Sequence, residues 1–159
     1  MKPRDPQLPL RLEAAAPAAG ERWRDGAPLA YLGETLTLRL DTQAKEAVLA
    51  GKELHLPLPP ESSPRQVQDA AEAWLRTRAR KIVGAHVVMA ARRLGRPAPP
   101  LSLSFAARAG WAQPDHRADG LRCHWRLVEQ PDETIAEVVS RAVAALPTTP
   151  AIPDLFALA

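Results

Sequence analysis

Between residues 29 and 41 apolar and polar positions alternate. Leu36, Leu38 and Leu40 interleave with Thr35, Thr37 and Arg39, the period of a half-buried strand. Gly33 and Glu34 suit a tight turn joining that strand to Tyr31 and Leu32. A second hairpin is predicted from Ala47, Val48 and Leu49 through Gly51 and Lys52 to Leu54, His55 and Leu56, so residues 25–58 read as β. The period then changes. Ser63, Pro64 and Gln66 form a strong helix start, and Gly95 and Pro97 end the helix near residue 94. Its predicted buried stripe is Val67, Ala70, Ala71, Trp74, Leu75, Ile82, Ala85 and Met89. Residues 101–110 read as a strand and 111–120 as a loop. Residues 121–128 read as a second strand, forming a hairpin with 101–107. A last helix is predicted over 132–146: Asp132 caps it, Glu133 suits its first turn and Pro147 ends it. Ile135, Val138, Val139, Ala142, Val143 and Leu146 give it one apolar stripe. The expected fold class is α+β, a small antiparallel sheet of hairpins packed on the helices 64–94 and 132–146.

Composition bounds the function. A chain of 159 residues with 46% hydrophobic and 25% charged positions is that of a globular domain. The single cysteine, Cys123, excludes an internal disulfide and points to a reducing compartment. No apolar signal region or membrane span is present, so the cytoplasm is expected, and the Ala/Arg/Pro-rich usage suggests a bacterium of high GC content. Four prolines break up residues 1–24, read as a flexible leader, and residues 147–159 read as a Pro-rich tail with an apolar end at Leu155, Phe156 and Leu158. That end would dock on the body or on another chain.

Several segments carry a family resemblance. Gly26, Leu29, Tyr31, Leu32 and Gly33 match a Gly-x-x-Leu-x-(Tyr/Phe)-Leu-Gly run. The segment from Trp74 to Ala79 and Arg80 matches a Trp-x-x-x-x-Ala-Arg helix, and Trp125, Arg126 and Leu127 match an Asn-Trp-Arg-Leu strand core. Together they resemble the YgjP-like metallopeptidases, zincins related to the SprT and WLM groups. The resemblance covers about residues 23–146 and implies a zincin-like fold. It further implies that a His-Glu-x-x-His motif should fall at Arg141, Ala142, Val143, Ala144 and Ala145. Two His at i and i+4 would grip zinc and the Glu would activate its water. An arginine has no lone pair to give, and alanines supply neither base nor ligand. Of an Arg-Trp-Gly-Ser-Cys motif only Trp111 survives, and the Asn-His-Ser segment with the third ligand has no counterpart in 147–159. The resemblance thus implies a pseudoenzyme, a domain over 25–146 that binds a protein partner without a cofactor. Trp74, Trp111 and Trp125 take structural roles, and Arg141 either lines an anion site or pairs with Glu137 at i, i+4.

Other chemistry is thinly supplied. The histidines His55, His86, His116 and His124 show no i, i+3 or i+4 pair, and adjacent strand positions send Cys123 and His124 to opposite faces. His116 with Asp115 and Asp119 is the one place for a weak adventitious metal. An active zinc hydrolase would have to draw on His116, His124 and a carboxylate. The basic cluster Arg76, Arg78, Arg80, Lys81, Arg92, Arg93 and Arg96 reads as a solvated helix face. Its functional alternative is a contact for phosphate, as in nucleic acid, or for an acidic protein surface, the nucleic-acid case being weakened by the scarcity of aromatics for stacking.

Overall fold

The computed structural model describes residues 19–106 and 110–148. Most of the leader and the end of the tail, with Leu155, Phe156 and Leu158, lie outside these described residues. The fold is α+β. Its elements are α1 (Ala19–Arg22), β1 (Pro28–Tyr31), β2 (Glu34–Leu40), β3 (Val48–Ala50), β4 (Glu53–Leu56), α2 (Pro64–Arg93), β5 (Leu101–Ser104), β6 (Ala112–Asp115), β7 (Gly120–His124), a 3-10 turn (Trp125–Glu129) and α3 (Asp132–Ala145). They fall into two compact units. The first holds residues 19–78 with Glu129–Pro131, the second Ala79–Val128 and the chain from Asp132 onward. No helix among the described residues is long and apolar enough to cross a membrane.

The first unit is built on a four-stranded sheet in the order β1-β2-β4-β3. β1 and β2 form the expected hairpin, with Leu29 opposite Leu36 and Tyr31 opposite Glu34. Leu32 (φ 49°) and Gly33 (φ 76°) turn the chain, both left-handed as a type I′ hairpin requires, so the turn lies one residue earlier than predicted. Gly33 N–H donates to Glu129 O at 2.9 Å, tying the turn to Glu129–Pro131. β3 and β4 form the second expected hairpin. β2 and β4, however, pair in parallel, with Leu38 opposite Leu54 and Leu40 opposite Leu56, so the sheet is mixed. Leu36, Leu38, Leu54 and Leu56 are all buried, as period-2 alternation demands.

Helix α2 begins with the expected capping box. Ser63 Oγ accepts the Gln66 N–H at 3.2 Å, and Gln66 Oε1 accepts the Ser63 N–H at 2.9 Å. It ends in a Schellman arrangement, with Arg96 N–H donating to Ala91 O at 2.9 Å and Gly95 N–H to Arg92 O at 3.1 Å. The buried stripe keeps the predicted Val67, Ala71 and Leu75 and departs in phase from the prediction beyond them. Val67, Ala71, Leu75, Ala79, Val83, Val87, Ala90 and Ala91 are buried, while Met89 and Ala85 are exposed and Ile82 is half-buried. The residues 82–83 and 87–89 are apolar at consecutive positions, so composition offers two faces and packing takes only one.

The second unit contains a three-stranded sheet in the order β5-β7-β6. Here the prediction is corrected in three places. Residues 112–115, expected in a loop, form β6 antiparallel to β7, and β5 pairs with β7 in parallel, not as a hairpin. The strand expected to reach Val128 also stops at His124. His124 Nδ1 accepts the Arg126 N–H at 3.1 Å, which takes that donor out of any ladder and starts the 3-10 turn. Trp125, Leu127 and Val128 are buried in that turn, a pattern no period-2 strand gives.

Candidate functional site

Helix α3 carries the positions where the resemblance puts catalytic residues. Asp132 at its start lies 2.8 Å from His86 Nε2, and Arg96 Nη1 caps its other end, donating to Val143 O at 3.2 Å and Leu146 O at 3.3 Å. Its apolar stripe is Ile135, Val139 and Val143, all buried. That fixes which face looks outward. Arg141 is 80% exposed and pairs with Glu137 at 2.6 Å, one turn earlier. Ala145 is exposed and Ala142 half-buried. The two positions that would present ligands together therefore lie on the solvent side of the helix, and neither residue there can donate an electron pair.

The remaining donors do not assemble elsewhere. Among the described residues no group of three or more His, Cys, Asp or Glu is placed to hold a metal ion. His124 has both ring nitrogens committed: Nδ1 accepts from Arg126, which leaves the proton on Nε2, and Nε2 donates to Ala106 O at 3.0 Å. Cys123 is fully buried, and burial pushes its thiol up to about 11. His55 sits between two carboxylates, Nδ1 3.1 Å from Asp41 Oδ2 and Nε2 3.2 Å from Glu53 Oε2. The residues present do not fit the zinc centre that the resemblance implies.

His116, Asp115 and Asp119 come together around one cavity of about 440 Å³ in the second unit, whose wall also includes five prolines and Arg96. Asp115 is not available there as a ligand. Its Oδ2 accepts the Ser102 hydroxyl at 3.0 Å, and its Oδ1 faces Arg122 Nη2 at 3.3 Å and the Arg117 N–H at 3.3 Å. The Ser102 bond, with the Arg122 charge behind it, holds this buried carboxyl below its ordinary value of 3.8. The cavity was not readable from sequence, because its lining comes from 95–100, 114–120 and 143–148. Its one local sign is the density of prolines in those stretches.

The predicted basic cluster divides into residues that are engaged and residues that are not. Arg76 pairs with Glu72 at 3.3 Å, and Arg78 lies over the Trp74 ring at 5.3 Å and the Tyr31 ring at 6.0 Å. Arg96 serves the end of α3. Arg80, Lys81, Arg92 and Arg93 are exposed, and none forms an ion pair among the described residues. Of the singled-out tryptophans, Trp74 is half-buried against Tyr31, with ring centroids 5.0 Å apart. Trp125 is buried against His124 with Arg126 over its ring, and Trp111 is 45% exposed, edge-on to His124.

The comparisons with curated proteins and with solved structures give no match. The family model of the YgjP-like metallopeptidase domain matches residues 9–140, ending one residue before Arg141. That match spans most of the chain, and with the residues quoted above it places this protein in the YgjP-like metallopeptidase domain family.

Proposed function

We propose that this chain is a catalytically silent member of its family, acting by binding a protein partner and not by hydrolysis. The observation that carries this reading is the outward face of α3. Arg141 stands at the first ligand position, already paired with Glu137, and Ala142 and Ala145 stand where a general base and a second ligand would be needed. Zincin chemistry needs neutral imidazoles on the metal and a carboxylate beside its water, and this helix supplies neither. Arg141 has its charge answered within its own helix, which favours an ordinary i, i+4 pair over an anion site.

The test is the metal content of full-length protein purified without chelator and without a histidine tag, assayed beside peptidase activity on unfolded casein with zinc added. The expected result is folded protein with far less than stoichiometric zinc and no cleavage. Stoichiometric zinc with cleavage that disappears in His116→Ala would overturn the proposal, since His116 is exposed and its replacement leaves the core intact.

A further inference from the structure

The second half of α2 has an exposed face that the fold does not use. Lys81, Ala85, Val88 and Arg92 follow at i, i+4, i+7 and i+11 and so share one stripe, with Met89 and Arg93 beside it. Val88 is 43% and Met89 49% exposed, and Leu94 just past the helix is 45% exposed. Apolar side chains thus sit at the centre of the face and, among the described residues, cations without an ion pair at its ends: Lys81 at one, Arg92 and Arg93 at the other. No acidic residue occurs between Glu72 and Asp115, a stretch holding eight Arg or Lys. Nothing in the sequence around this face offsets its charge.

We infer that the Lys81–Arg93 face of α2 is a docking surface for an acidic amphipathic segment of another protein, carrying carboxylates at its ends and apolar side chains between them. Charge complementarity selects the sign of the partner. The apolar centre selects its kind. A phosphate backbone would use the cations but would bury Val88 and Met89 against nothing apolar, and there is no aromatic on the stripe to stack a base. A second copy of this chain in a two-fold contact would set cations against cations. Methionine at the centre suits a helix-on-helix contact, because its unbranched side chain adapts to its partner. The inference stands apart from the silence of α3, since no residue of α3 takes part.

The experiment is fluorescence anisotropy on the full-length protein with three labelled probes. They are a synthetic helical peptide with Glu at its ends and Leu at i, i+3, i+4 and i+7, poly-glutamate of equal charge, and a DNA duplex. The peptide is expected to bind most tightly, with affinity falling as salt rises. Met89→Ser and Arg92→Glu should each weaken it about tenfold, the scale of one anchoring contact. Arg65→Glu changes the net charge equally but sits elsewhere on α2, paired with Asp69 at 3.2 Å, and should leave binding unchanged. Circular dichroism of each variant checks folding, and all the changed residues are exposed. The proposal is overturned if no probe binds, if Met89→Ser is without effect, or if Arg65→Glu weakens binding as much as Arg92→Glu. Tighter binding of the duplex, lost on Arg92→Glu, would also overturn it and assign the face to nucleic acid.

Discussion

Gly33 shows how much one missing Cβ decides. It holds φ 76° at the β1–β2 turn, and a Cβ placed there would lie 2.8 Å from Pro131 Cγ and 3.1 Å from its Cα. Gly51, at φ 59° in the next hairpin, has nothing within 4 Å of the same position. Both substitutions to alanine incur the left-handed backbone penalty, roughly 1–2 kcal/mol. Only Gly33→Ala must also displace the segment Glu129–Pro131 that its own N–H binds. In urea unfolding Gly33→Ala should therefore lose distinctly more stability than Gly51→Ala, and equal losses would show that the turn does not bear on Pro131. His124 gives a second test at this scale. With Nδ1 accepting from Arg126 and Nε2 3.0 Å from Ala106 O, the neutral ring must carry its proton on Nε2. Nitrogen-15 NMR of the imidazole should show that tautomer, and a proton on Nδ1 would contradict the hydrogen bond that ends β7.

Helix α3 separates an inward from an outward face, and the two should respond very differently to truncation. Ile135 is fully buried, so Ile135→Ala should cost about 2–5 kcal/mol. Arg141→Ala removes only an exposed i, i+4 pair and should cost about 0.3–0.5 kcal/mol. Denaturant midpoints of the two variants check this, and a large loss at Arg141 would mean that the residue is tied into the body of the fold. The bounds of both long helices were legible in the sequence, because Ser63, Gln66, Gly95 and Pro147 act through local hydrogen bonds and local sterics; Asp132, expected as a cap, is instead the first residue of its helix and bonds the distant His86. The residues of the two hairpins in 28–56 were legible for the same reason. The parallel pairings β2–β4 and β5–β7 were not, because no short-range pattern specifies which distant strand becomes a neighbour. The early end of β7 was hidden too: it turns on a side-chain acceptor, His124 Nδ1, where the apolar run Trp125, Leu127, Val128 looked like more strand. Of the candidate site, Arg141, Ala142 and Ala145 were singled out by the resemblance alone, and the outward direction of that face rests on which stripe of α3 packs.

Across the whole molecule the dependence of stability on pH should have two limbs with separable owners. Each unit holds, among its described residues, a carboxylate below its ordinary value of 3.8. In the first it is Asp41, through the Gln43 N–H first and then His55, and in the second it is Asp115, through the Ser102 hydroxyl first and then the Arg122 charge. A carboxyl with a depressed native pKa binds its proton more readily in the unfolded chain. Its contribution is therefore present above 3.8 and is lost as pH falls through the native value. The alkaline limb belongs in part to Cys123, raised by burial from 9.0 to about 11. The native thiol stays neutral while an unfolded one ionises, so this contribution is intact below 9.0 and is lost as pH rises toward 11. Urea midpoints across pH at fixed ionic strength should thus show a plateau falling away at both ends. Asp41→Asn and Asp115→Asn should each flatten the acid fall, and Cys123→Ala the alkaline one, while none changes the slope of the opposite limb. An acid limb that survives both Asn variants unchanged would mean that these two carboxylates are solvated as freely in the folded protein as in the unfolded chain, which the bonds from Gln43 to Asp41 and from Ser102 to Asp115 deny.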